Sequence, residues 1–178
     1  VDSEGGITCT AVPAGVTSRA VACSLVGDEP DIEHVVDTVR ARGGVVGLIA
    51  DTVTRAQDWY ERVSQLCAGV DVEVVLLHSR FTDADRAARE QDLVSRCGRG
   101  GVRPDKMIVV STQVIEQALD LDFDYMVTDV APVDSLIQRA GRVHRHAETR
   151  RPAVFATPRV DICGVDDARF ARGVDRVY

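Results

Sequence analysis

The 178-residue chain is 45% hydrophobic and 28% charged, the balance of one globular domain with its own core. Only 4% of it is aromatic, so that core must come from Val, Leu, Ile and Ala, and no apolar run approaches the roughly 20 residues that cross a bilayer. A net charge of −7 argues against coating nucleic acid by bulk attraction, and five scattered cysteines (Cys9, Cys23, Cys67, Cys97, Cys163) without a C-x-x-C pair argue against a disulfide framework or zinc knuckle.

Residues 1–18 mix Gly, Ser, Thr and Pro without a sustained period and read as an irregular lead-in. A strand is predicted over 20–26. Asp28-Glu29-Pro30 then opens a helix whose Ile32, Val35, Val36 and Val39 share a face, and Gly43-Gly44 stops it. The cycle repeats with a strand over 45–50, a helix over 55–67 and a strand over 72–78. Thr82 with Asp85 three residues on resembles a capping box, opening a helix to about residue 97. After a Gly- and Arg-rich loop come a strand over 107–111, a short helical turn over 114–119 and a strand over 125–130. A helix over 135–145 and a last strand over 153–156 follow, and residues 158–178 carry no clear pattern.

Alternating strands and helices, with apolar runs in the strands, imply an α/β fold: a parallel β-sheet of about six strands with helices on both faces. Ligands of such sheets bind outside the carboxyl ends of the strands. That rule places Asp51-Thr52, Ser79-Arg80, Ser111-Thr112 and Asp129 on one rim.

Arginines cluster twice. Arg96, Arg99, Arg103 and Lys106 read as a solvated loop. On a helix, Gln138, Gly141, Arg142 and Arg145 fall at spacings of three and four and share a face. Two guanidinium groups and an amide, with a glycine allowing close approach, suit a terminal phosphate, with Arg142 and Arg145 neutralising charge as it leaves. A bare pair of arginines would read as a solvated stripe; the whole Q-x-x-G-R-x-x-R string after a strand favours the phosphate. His144 and His146 lack the partners of a metal site, so no metal ligands are assigned. His34, Trp59 and Tyr60 read as packing residues.

Gln138-Arg139-Ala140-Gly141-Arg142-Val143-His144-Arg145 resembles helicase motif VI, and Ser111–Asp124 resembles motif V. The form E-Q-x-L-D-x-D-F-D, then D-x-A-P and Q-R-A-G-R-x-H-R-H, is similar to the helicase–nuclease of type I CRISPR systems, in superfamily 2. Leu77–Arg86 and Ala50–Val53 resemble that family's motifs IVa and IV, and the likeness covers about residues 45–152.

The resemblance implies a second RecA-like helicase domain over 19–157, with 158–178 the start of a C-terminal extension. It implies half of an ATP-dependent single-stranded DNA translocase or helicase, with arginine fingers Arg142 and Arg145 and nucleotide contacts from Gln138, Gly141, Asp120 and Asp122. Asp120 would accept from ribose hydroxyls, whereas Asp122 and Asp124 either join it or hold Arg142 or Arg139 in place. Thr112, by its hydroxyl and amide, and Thr52, Ser79 and Arg80 would contact strand phosphates; an ordinary helix cap or turn is the alternative for each. Glu116 and Gln117 either couple the two sites or form a solvated turn.

No G-x-x-x-x-G-K-[ST] loop, D-E-x-[HD] box or tandem His-Asp nuclease motif occurs, so ATP and Mg would be held mainly by an N-terminal RecA-like domain outside this chain. The start at Val1 agrees with a piece of a longer protein, expected to be cytoplasmic and free of membrane. Its implied partners are single-stranded DNA, a crRNA-guided surveillance complex, and the N-terminal RecA-like and nuclease domains of the parent. Two positions depart from the family pattern: Ala118 for Ser, and Asp51 for Asn, which sets a negative charge on the proposed phosphate path. The rival readings are a single-strand-binding module without turnover and another superfamily 2 DNA or RNA helicase.

Overall fold

The computed structural model describes residues 20–117 and 119–164; the lead-in over 1–18 and most of the 158–178 extension lie outside the described residues. The strands are β1 (Ala22–Leu25), β2 (Gly44–Ile49), β3 (Glu73–Leu77), β4 (Lys106–Ser111), β5 (Tyr125–Asp129) and β6 (Arg159–Cys163). The helices are α1 (Ile32–Arg42), α2 (Val53–Leu66), α3 (Asp83–Cys97) and α4 (Val133–Ala140), with 3₁₀ turns at Gln113–Glu116 and Ala153–Phe155. All pairings are parallel, in the order β1-β6-β5-β2-β4-β3. This is a six-stranded parallel sheet with helices on both faces, as the strand–helix rhythm predicts.

The central strands are buried on both faces, which is why they read as unbroken apolar runs. In β2, Val46 and Leu48 join α1 and α2 through Val35, Val39, Trp59 and Val63, while Val45 and Ile49 join the opposite layer with Leu93, Ile115 and Phe123. Each of the first three helices opens on a side-chain cap: Asp31 accepts from the His34 N–H, Thr52 from Arg55 and Thr82 from Asp85. The Thr82 hydroxyl also donates to Asp85 Oδ2 at 2.7 Å, so the predicted pair does meet at the helix start, side chain to side chain. Gly44 has a φ of +114°, and a Cβ there would lie 2.7 Å from the Phe155 ring, so the stop before β2 requires glycine.

Two elements differ from the sequence expectation. The stretch expected as a last strand, 153–156, is a 3₁₀ turn started at Pro152, and the sixth strand is β6 instead. It lies between β1 and β5, so the sheet runs past the 157 boundary. β6 hides in the sequence because Arg159 and Asp161 look like surface residues. Asp161 is buried, accepting from Tyr125 Oη and Arg159 Nε, both at 2.6 Å.

The helix expected over 135–145 stops at Ala140. Beyond Gly141 the chain turns to pair with Phe123: the Phe123 N–H donates to Arg142 O (2.8 Å) and the His144 N–H to Phe123 O (2.9 Å). His144 takes a φ of +51° to make this turn. Tertiary pairing overrides a helix that local propensity would extend.

Candidate functional site

The carboxyl ends of β2, β3, β4 and β5 bring the expected rim residues together. The Asp51 N–H donates to Asp129 Oδ2 at 2.9 Å, and Gln113 Nε2 donates to Asp51 O at 2.7 Å, so three strand ends are tied to one another. Ser79 and Arg80 are exposed on the turn after β3. Arg80 forms no ion pair among the described residues, and its N–H donates to His78 Nδ1, 3.2 Å away. His78 stacks on Phe81 with ring centroids 4.2 Å apart, and burial lowers its pKa, which suits a neutral, accepting ring.

The other rim residues are placed differently. Thr52 is the N-cap of α2, accepting from the Arg55 N–H, so only its own O–H is left to donate. Arg55, which follows, reaches Asp129 and Glu29 at 3.0 and 2.7 Å rather than standing free. Thr112 is 2% exposed and its N–H already donates to Leu77 O at 3.2 Å. The amide expected for a phosphate is therefore committed; the hydroxyl makes no cap hydrogen bond to the turn that follows.

Behind the rim lies Arg139, fully buried. Its Nε donates to Glu116 Oε1 at 2.7 Å, and its Nη1 to Thr128 Oγ1 at 2.6 Å and Asp129 O at 3.1 Å. Asp51 Oδ1 stands 3.6 Å from the same nitrogen. Burial, then the charge of Asp129, push the Asp51 carboxyl up to about 6 against the pull of Arg139. Sequence reasoning offered Arg139 a partner in Asp122 or Asp124 and missed its burial against Glu116 and β5, because an arginine on a short helix reads as solvated.

Arg142 follows α4 and is 8% exposed. Its Nη2 donates to two carbonyls, Glu116 O at 3.3 Å and Gln117 O at 3.0 Å, while its Nε is buried without a partner. Among the described residues no carboxylate lies within ion-pair distance of it, and burial, then the nearby Arg145 charge, lower its pKa. A buried guanidinium held only by neutral carbonyls is short of an anion.

Arg145 is more open, 40% exposed, with its Nε on Asp120 Oδ1 at 2.7 Å; His146 Nε2 is 3.2 Å from the same oxygen. Burial works against ionisation of Asp120, but the Arg99 amide and Arg145 hold its carboxyl below the usual range. Gln138 is exposed in the last turn of α4 and Gly141 is its C-cap, so the arginines do not share a helical face with them. The proximity of Arg142 and Arg145 comes from the turn after Gly141.

Asp122 is placed away from the nucleotide role expected of it. It is fully buried, and its oxygens accept from Arg151 Nη2 (2.8 and 2.7 Å), Thr149 Oγ1 (2.7 Å) and the Arg145 N–H (2.8 Å). With no lone pair facing a cleft, it is an internal clamp. Asp124 likewise holds Arg103 and Arg151, at 2.8 and 2.6 Å, so neither aspartate holds Arg139 or Arg142. In the loop cluster, Arg96 pairs with Glu73 and Asp92, and Arg99 with Glu148. Among the described residues no three His, Cys, Asp or Glu side chains gather as a metal site. Cys67, Cys97 and Cys163 are buried free thiols and Cys23 is exposed.

Residues 42–148 match the family described as CRISPR-associated nuclease/helicase Cas3, C-terminal. The chain is 40% identical over 150 residues to a CRISPR-associated nuclease/helicase Cas3 of Streptococcus thermophilus, covering 82% of this chain and 16% of that protein. It is also 40% identical over 148 residues to the endonuclease/helicase Cas3 of Escherichia coli K12, again spanning 16% of that protein and 83% of this chain. Among solved structures it is similar to T. fusca Cas3 with ATP, at a TM-score of 0.80 and 32% identity over 89% of this chain and 19% of that one. Domain 2 of the DEAD-box helicase Mss116p shares the fold alone, with a TM-score of 0.59 at 15% identity over 86% of this chain and 58% of that one. A chain of a CRISPR RNA-guided surveillance complex, pre-nicking, is similar at a TM-score of 0.73 and 32% identity, over 85% of this chain and 20% of that one.

Proposed function

The chain belongs to the CRISPR-associated nuclease/helicase Cas3 family, as its C-terminal helicase part, and from that premise we propose that it is the second RecA-like half of an ATP-driven single-stranded DNA translocase. The observation that carries the reading is Arg142, a buried cation with no carboxylate and no Nε partner among the described residues. That orphan donor fits a phosphate oxygen presented across a cleft. Arg142 neutralises charge that develops at the terminal phosphate, and Arg145 joins it by leaving Asp120, which is then free to accept from a ribose hydroxyl. Gln138 and Gly141 flank the approach.

ATP, held mainly by the N-terminal domain of the parent together with Mg, supplies the free energy of its phosphoanhydride bond. This chain's residues supply positive charge from the facing side and a rim for the strand. Arg80, Ser79, Thr52 and the Thr112 hydroxyl contact backbone phosphates, so binding tolerates any sequence. The partners in this reading are single-stranded DNA, the remaining domains of the parent, and a crRNA-guided surveillance complex like the one in which a similar chain is seen.

Steady-state ATP hydrolysis tests the half-site. The parent protein is expected to hydrolyse ATP in the presence of single-stranded DNA, and the purified 178-residue chain to show none above buffer. Robust turnover by the chain alone would overturn the reading.

A further inference from the structure

A cleft of about 710 Å³ lies at the end of the sheet away from the rim. Gly44 and Lys106 begin β2 and β4 on its wall, and Ser111 ends β4 at the rim, about 17 Å away. Three chain segments converge there. The Gly44 N–H donates to Asp105 O at 2.7 Å, and a Cβ on Gly43 would stand 2.9 Å from that oxygen and 3.9 Å from Pro152 Cγ.

Charge is uneven in this cleft. Arg42, Lys106 and Arg150 line it, and none of their side chains makes an ion pair or hydrogen bond among the described residues. Arg42 and Arg150 are exposed, and Lys106, the only lysine of the chain, is half-buried. The carboxylates around them are mostly committed. Asp124 is held by Arg103 and Arg151 at 2.8 and 2.6 Å, and Glu148 by Arg99 at 2.8 Å. Asp105 is the lining carboxylate left unpaired, so three free cations face one free anion on a chain of net charge −7. Cations brought from α1, β4 and the turn before Ala153 onto one concave wall focus a positive potential.

The rest of the lining selects the anion. Ala41, Pro104 and Pro152 are the apolar side chains of the cleft, and no aromatic ring is among them. A protein segment binds through aromatic or long aliphatic anchors, and a base through a ring to stack on; this wall offers neither. A sugar–phosphate backbone needs only cations and open main chain, which Gly98, Gly100 and Gly101 supply on one side.

We propose that this cleft is a second nucleic-acid site, which takes the sugar–phosphate backbone at the opposite end of the sheet from the rim. Contact is to phosphates alone and carries no sequence preference. The backbone comes from a single strand or from duplex, which differ in charge density. The site stands apart from the strand path proposed above, and either holds without the other.

The test uses the full parent protein without nucleotide. Labelled oligothymidylate and a blunt duplex of equal length are titrated by fluorescence anisotropy over a range of salt. Arg42→Ala combined with Arg150→Ala is expected to weaken binding about tenfold and to flatten the dependence of log affinity on log salt. The slope changes by about 0.7 for each arginine where a single strand fills the cleft, and by about 0.9 where duplex does. Neither arginine has a partner to lose, so the double variant keeps the fold. In the wild type, bound DNA also shields Lys106 from acetic anhydride, read by mass spectrometry of its peptide. Unchanged affinity and slope in the double variant overturn the proposal, as does equal acetylation of Lys106 with and without DNA. An oligoglutamate peptide that shields Lys106 as well as DNA does assigns the cleft to an acidic protein segment and overturns it too. Loss of affinity in the double variant, with none in Arg80→Ala or Thr112→Ala, keeps the cleft and defeats the rim instead.

Discussion

Asp51 Oδ1 faces Arg139 Nη1 across 3.6 Å, an ion pair too long for a hydrogen bond, while the Asp51 N–H donates to the carboxylate of Asp129. The backbone bond brings the two carboxylates together, and burial with that like charge pushes the Asp51 pKa from 3.8 to about 6. Between those values the folded chain binds a proton that the unfolded chain releases, so this group's contribution falls as pH rises through the window. Asp51→Asn removes the like charge and keeps an acceptor for Arg139. At neutral pH the variant should be more stable by about 1–3 kcal/mol, and the difference should vanish below the unfolded-state pKa. Urea unfolding of both chains across pH measures it; a gap that persists in acid would locate the effect elsewhere.

Arg142 makes a sharper prediction for the chemistry. Its guanidinium is already seated on the Glu116 and Gln117 carbonyls with Nε unused, so the free donor is expected to act mostly as phosphate charge develops. In the parent protein, Arg142→Ala should lower single-turnover hydrolysis by about a thousandfold or more while affinity for a non-hydrolysable ATP analogue changes only a few-fold. Retained kcat would make the arginine a structural one.

Much of this was legible in the sequence, for a definite reason. A sheet buried on both faces leaves apolar runs such as Val45–Ala50, and Thr82 with Asp85 marks a helix start by chemistry that acts within one turn. The rim order then follows from parallel topology alone. What escaped was settled by distant partners. Asp122 and Asp124 meet Arg151 from 29 and 27 positions away, and β6 hides its charged residues by pairing Asp161 with Tyr125. The end of α4 was missed because nothing local stops it before Gly141; Phe123 does, from a neighbouring segment.

The two acidic neighbours Asp120 and Asp122 should part company under mutation. Asp122 is 1% exposed and faces Arg151 at 2.7 Å, itself 9% exposed, so Asp122→Ala takes one of two carboxylates from a buried cation and leaves Asp124 as the other. Its cost should be about 2–3 kcal/mol in unfolding free energy. Asp120 and Arg145 are each 40% exposed, and Asp120→Ala should cost less than about 1 kcal/mol. Urea melts of the two variants decide this; an Asp122→Ala chain as stable as wild type would remove the internal clamp from the account.

Arg80 and Thr112 separate charge from contact on the strand path. Arg80 is exposed and unpaired among the described residues, so its bond to a phosphate would release condensed counterions. In the parent protein, Arg80→Ala should weaken oligothymidylate binding and flatten the dependence of log affinity on log salt by about 0.7. Thr112→Ala removes a neutral hydroxyl, so affinity should fall with the slope unchanged. Anisotropy titrations over a range of salt distinguish the two. If neither substitution moves affinity, the strand crosses a different edge of the sheet.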